Sequence, residues 1–453
     1  MELVTEPRGQ SSVVRALLRM TWPLVLSQLI TQLDSIAVRY WLGHYHGKEG
    51  IAVHTATAQP VNLLTLLLIG IVTGQGVAVA RSVGARDGRG MTLTANAATL
   101  TLLVSLVLAG VVIGFGDPMA SAIAKEGVPE TAVHQFLVSY VVLTVPVISL
   151  ASVITTAGIS AGWTRFALMW GVTHVPPVFV MLPLTLGPLD LGYYGPAVAG
   201  AIASVINCVT LWWLLRRRAV SLNLGATIDT SHLFDRGLWR DLIAVGYPQQ
   251  LSRAAMWAVT MTVMFHVRDA GMLTLAGYGI AMAFVDLMGF ATGGYARAAA
   301  IMIGMSLGAK DPARARLVLR KSLSLGLVLS GTVVLLLEIG APVAARFFSD
   351  DPAVIEEGTR ALRLMCMTLL PAAAWQVLLG AFGAARATMR PFMVTLVIQA
   401  IAFGFIVFVW NGDAVLGAFT TLGSMYVVCL AAYLGLAVPI LWRGALAVPT
   451  SKA

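Results

Sequence analysis

The chain has 453 residues, 58% of them hydrophobic and only 11% charged, with a net charge of +9. Soluble domains carry about a quarter charged residues, so this composition excludes an ordinary water-soluble protein. The charges fall in short islands between continuous apolar runs of membrane-spanning length, which read as helices and not as alternating barrel strands.

The N-terminal residues are polar, and the apolar run after them is too long for a cleavable signal peptide. Span 1 is expected over 16–42; it holds Pro23 and then Asp34 and Arg39, within QLITQLDSIAVRYWLG. Span 2 (51–80) carries Gln59 and Asn62, and GIVTGQGVAVARSVGARDGRG runs out of its end. Spans 3 and 4 cover 91–114 and 131–157. Span 5 (166–187) contains His174 and the tandem Pro176-Pro177, and span 6 (194–215) contains Ser204. A basic, less apolar stretch, 216–240, leads to span 7 (242–267), with Pro248, Arg253 and Met256. Span 8 (273–305) holds Asp286 and Arg297. Spans 9 to 12 are expected over 317–345, 353–383, 392–410 and 415–442, with Trp375 in the tenth.

Twelve spans put both termini on one side. Most of the 30 basic residues fall on that side, including Arg216, Arg217, Arg218, Arg236 and Arg240. Basic loops mark the cytoplasmic face, so the positive charge is topological and no nucleic-acid partner is expected. Cys208, Cys366 and Cys429 sit singly. No metal-ligand spacing, nucleotide loop or nucleophile arrangement emerges, so no enzyme, metal or cofactor is expected.

The sequence repeats. PLVLS at 23–27 matches PQQLS at 248–252, and VGARD at 83–87 matches LGAKD at 307–311, at offsets of 225 and 224. Each half holds six spans, an even number, so the halves share one orientation and form a parallel repeat, as transporters do. A Gly after a long apolar run, Gly84 or Gly308, lets a helix end in a left-handed turn.

TWPLVLSQL, the two Gly-Ala-basic-Asp segments, VAGAIAS in span 6, VGYPQQLS and IGMSLGAKDPARAR occur in order and at matching spacing. On these motifs the chain resembles the multidrug and toxic compound extrusion (MATE) transporters over nearly its whole length. The resemblance implies an all-α integral membrane fold of two pseudo-symmetric six-helix lobes in a V. The N-lobe would be 1–215, the cytoplasmic linker 216–240 and the C-lobe 241–453. It also implies ion-driven export of amphiphilic organic compounds by alternating access, in the inner cell membrane, by a monomer whose partners are the bilayer and a small organic substrate.

Ionisable side chains inside spans are costly and mark ion or substrate paths by default. Asp34 is therefore the expected coupling residue, with the alternative of a structural ion pair to Arg39 or Arg253. In the family pattern the span 1 Asp stands five residues before the Gly that closes the helix. Counted back from Gly43 this position is Val38, one turn beyond Asp34 on the same face. The family's span 5 pattern, an Asn, then a Pro, then a closing Asn or Asp, becomes HVPPV, with His174 first and Val178 last, and the span 6 hydroxyl is matched by Ser204. Sodium prefers several hard oxygens, whereas histidine suits proton traffic. The resemblance thus points to protons rather than sodium, with Asp34, His174 and Ser204 as the coupling group. The other reading of His174 is a packing residue bonded to a carbonyl freed by the prolines.

Pro23 and Pro248 are expected to bend spans 1 and 7. Substrate-cleft candidates are Arg39, Gln59, Asn62, Arg253, Asp286 and Arg297, with Met256 and Trp375 where some members carry carboxylates. If the arginines face the cleft, an anionic or zwitterionic cargo follows. The alternative function is then a lipid-linked or natural-product flippase of the same superfamily.

Overall fold

The computed structural model describes residues 10–124, 129–348, 351–408, 410 and 412–437. It holds helices and no strand among those residues. One helical stretch, Gln10–Ala85, is broken at Gly47 (φ 59°, ψ −146°) into α1 (Val13–Gly47) and α2 (Glu49–Ala85). Then come α3 (Gly90–Ile123), α4 (Glu130–Ser160), α5 (Phe166–Leu186) and α6 (Gly192–Arg218). The second repeat supplies α7 (Arg236–Asp269), α8 (Met272–Gly308), α9 (Pro312–Phe348), α10 (Pro352–Ala384), α11 (Met389–Phe408) and α12 (Ala414–Ala437). Eleven of these are long and apolar enough to cross a membrane; α7 is not, because its 246–253 stretch is polar. The expected end of the twelfth span, at 442, and both termini lie outside the described residues.

Helix ends follow local chemistry. Asp235, Asp311, Asp351 and Asp413 each accept an amide N–H from the first turn of α7, α9, α10 and α12. A carboxylate there satisfies a donor that the helix leaves free. At the C-termini the structure corrects one expectation. The left-handed residues are Arg86 (φ 56°) and Lys310 (φ 55°), two positions after the glycines. The Asp that follows each donates its N–H back across the turn, Asp87 to Ser82 O and Asp311 to Ser306 O. The same turn recurs at Gly162 after α4 and Arg386 after α10, again 224 residues apart. The repeat is therefore a repeat of backbone conformation as well as of sequence.

One further expectation changes. α1 does not close at Gly43 but continues to Gly47. α5 is helical through Pro176, Pro177 and Pro183, and α1 and α7 are helical on both sides of Pro23 and Pro248.

The chain divides into two compact units. The first is Leu26–Gln250; the second combines the start of α1, through Val25, with Leu251 onward. The changeovers fall two residues after Pro23 and Pro248, not in the 216–240 stretch. In the first unit α2 meets the start of α7 almost backbone to backbone. A Cβ on Gly246 would lie 1.8 Å from Gly70 O, and one on Gly74 would lie 2.1 Å from Leu242 O. In the second unit Gly294, 224 residues after Gly70, packs on Leu24 and Val25 of α1. Small residues at such crossings let membrane helices approach closely.

Candidate functional site

In the first unit α1 and α5 meet at Asp34, with α6 packed against α5. Gly171 opens the way: a Cβ there would sit 2.4 Å from Ile30 Cγ2. That gap brings α5 onto α1 one turn before each of the two polar residues. His174 Nε2 consequently lies 3.6 Å from Asp34 Oδ1. The imidazole is 2% exposed and the carboxylate 22%. This pair is sheltered yet reachable from one side.

The imidazole is held from behind. Its ring stacks on Trp170, centroids 4.8 Å apart at 27°. Asn207 of α6 donates through Nδ2 to Trp170 O at 2.8 Å and to Thr173 Oγ1 at 2.7 Å. Asn207 is fully buried and grips the turn of α5 just before His174. Ser204, one turn earlier on α6, is also fully buried, but its Oγ has no hydrogen-bond partner among the described residues. The structure thus brings His174 to Asp34, while Ser204 makes no bond to either.

Within this unit neither an Arg39 pair nor a bond to a freed carbonyl is found among the described residues. Arg39 does not pair with Asp34; its Nε donates to Nδ1 of the buried His54 at 3.4 Å. His174 Nδ1 makes no hydrogen bond to a freed carbonyl among the described residues. Tyr140 opens a π-helical turn in α4, Tyr140–Thr144, a distortion common at functional sites. Thr144 Oγ1 ties that turn to α6 by donating to Ala197 O at 2.9 Å. Val38 and Val178 lie together in one apolar cluster with Ala37, Leu42 and Ala203. No oxygen comes from either valine side chain.

The remaining candidates separate. Asn62 is exposed on α2, and the side chain of Gln59 lies outside the described residues. In the second unit Met256 and Trp375 are buried, Trp375 packing its ring 6.0 Å from Tyr426 and 6.3 Å from Tyr433. Arg253, Asp286 and Arg297 are exposed. Asp286 makes no ion pair among the described residues. Sequence reasoning passed over Asn207 and His54; a lone amide or imidazole in an apolar helix is the only signal either offers.

The chain is similar to known proteins over most of its length. The family model described as MatE matches residues 23–182 and 248–410. The chain is 24% identical to the probable multidrug resistance protein YoeA of Bacillus subtilis, over 86% of this chain and 83% of that one. It is 24% identical to the multidrug resistance protein PmpM of Pseudomonas aeruginosa, over 76% and 72%. Among solved structures, the Vibrio cholerae MATE transporter VcmN in its bent form superposes with a TM-score of 0.81 at 16% identity, covering 96% of this chain and 98% of that one. A MOP superfamily transporter from Pyrococcus furiosus gives 0.80 at 18% identity, covering 97% and 98%. With a family model matched through both repeats and a helical architecture shared end to end, this chain belongs to the MATE family of multi-pass membrane transporters, a family of multidrug efflux proteins and not of enzymes.

Proposed function

We propose that this protein is a proton-driven antiporter that exports amphiphilic organic compounds by alternating access. It would sit in the inner membrane with both termini cytoplasmic. The observation that carries the reading is the Asp34–His174 pair, 3.6 Å apart between two spanning helices. A carboxylate facing an imidazole can hold one added proton, and the site then differs by one unit of charge between its loaded and unloaded states. Burial makes that difference matter, because uncompensated charge inside a membrane is costly. The apolar packing of Val38 and Val178 supports protons over sodium, since a sodium site needs several hard oxygens.

A second reading concerns the cargo. Arg253 and Arg297 are both exposed in the second unit. This favours an anionic or zwitterionic substrate. The Pyrococcus furiosus transporter is described as having a binding pocket of reverse polarity that suggests a different function.

The test uses purified protein in proteoliposomes under separately imposed proton and sodium gradients. A proton gradient should drive transport, and a sodium gradient at equal pH should not. Asp34→Asn should insert and fold, lose proton-driven transport and keep substrate binding. Sodium-driven transport, or coupled transport by Asp34→Asn, would end the reading. Loss of about 3–5 kcal/mol of stability in the variant would instead mark Asp34 as one half of a structural ion pair.

A further inference from the structure

We infer that the end of α6 is a binding site for the headgroup of an anionic phospholipid. Three consecutive arginines close the helix, and each lies over an indole ring. The guanidinium carbon of Arg217 is 3.7 Å from the ring centre of Trp213, that of Arg218 is 4.7 Å from Trp163, and that of Arg216 is 5.5 Å from Trp212. Stacking on an aromatic face orients a guanidinium and leaves its edge donors free. Those edges match the paired oxygens of a phosphate.

No described residue takes that role. Among the described residues no carboxylate pairs with Arg216, Arg217 or Arg218. The nearby acids of the segment before α7 are turned to local donors. Asp229 accepts from the N–H and Oγ of Ser231, and Asp235 accepts from the N–H groups of Gly237 and Leu238 and bonds His232.

Depth fits a lipid. Trp213 is 49% exposed on the face of a spanning helix and one turn from its end, where tryptophan favours the interface. The cluster is not repeated in sequence: 224 residues on stand Ile440, Leu441 and Trp442. The triplet is a feature of one half alone. An ordered trio of cations at the membrane surface, with no acid of its own, is complementary to acidic headgroups in the adjoining leaflet.

The experiment strips lipid from the purified full-length protein in neutral detergent. It then adds phosphatidylglycerol or phosphatidylcholine and counts bound lipid by native mass spectrometry. Phosphatidylglycerol should be retained and phosphatidylcholine not. Each arginine removed should weaken retention by about fivefold, so Arg217→Gln gives a modest loss and the triple Gln variant a loss of about a hundredfold. Trp213→Ala keeps the charges but removes a platform, and should also weaken retention. Inorganic phosphate at millimolar concentration should not displace the lipid; displacement would mean a free-anion site and overturn the proposal. Equal retention of the two lipids, or wild-type retention by the triple variant, would overturn it as well. If the triple variant melts early without lipid, Arg217→Gln and Trp213→Ala decide the matter alone.

Discussion

Replacing Gly246 by Ala adds one methyl group at the tightest helix crossing in the first unit. That Cβ would lie 1.8 Å from Gly70 O and 2.9 Å from Gly74 N, where ordinary contact begins at 3.4 Å. The obstacles are backbone atoms and cannot rotate away, so α2 and the start of α7 must part by about 1.5 Å. Overpacking of this kind costs about 1–3 kcal/mol. Against it stands a gain of about 1 kcal/mol, because Ala is the better helix former. The net should be a loss. Gly289 of α8 has nothing within 4 Å of its would-be Cβ, so Gly289→Ala keeps the gain without the clash. The two substitutions should therefore move thermal melting in detergent in opposite directions, Gly246→Ala down and Gly289→Ala up or unchanged. A Gly246→Ala protein that melts at or above wild type would show that the crossing is looser than described.

Other outcomes follow from the same structure. Asn207→Ala removes both bonds that hold the turn before His174; each is worth about 0.5–1.5 kcal/mol. Its pH profile of transport should change shape while substrate binding persists, and a uniform fall at every pH would reduce Asn207 to helix glue. His174→Gln should keep a hydrogen-bonding neighbour for Asp34 but lower proton-driven uptake by at least about a hundredfold; unchanged uptake would remove the imidazole from the mechanism. The carboxyl of Asp413, ahead of α12, is held below its ordinary value of 3.8 by the N–H of Leu416 and by Arg360. A depressed carboxyl contributes stability above its unfolded pKa, and that contribution fades as pH falls through the folded value. Arg360→Gln should thus lower melting near neutral pH, by no more than about 1 kcal/mol for so exposed a pair. The gap to wild type should close under strong acid; a constant gap would sever the link.

Much of this architecture was legible, for identifiable reasons. Long apolar runs have few fates in a membrane, and PLVLS against PQQLS showed the repeat directly. The second pair of turns was not visible, because Gly162 and Arg386 share a backbone conformation and no chemistry. Gly43 misled: one Gly inside a helix costs only about 1 kcal/mol, and the helix carries on to Gly47, where the dihedrals break. Pro176-Pro177 lie inside α5 without ending it, since neighbouring membrane helices satisfy backbone groups that prolines release. The meeting of Asp34 with His174 was readable from two unusual residues, one a helical turn from the family's span 1 Asp position and the other at the first position of its span 5 pattern. Asn207 was not, because its role depends on which turn of α5 it faces. Its own neighbours in sequence do not say.

The allocation of α1 and α7 between the two units bears on how the protein is made. Synthesis delivers the chain from its N-terminus, yet the first unit needs residues up to Gln250. A nascent chain that has finished only α6 lacks the segment that lies against Gly70 and Gly74. The opening turns of α1, through Val25, wait longer still, because their partners begin at Leu251. Neither half can therefore mature alone in the translocon, and a gene severed between α6 and α7 should give two inert products. Co-translated in one bilayer, the pieces could complement each other, since each would carry the stretch that the other is missing.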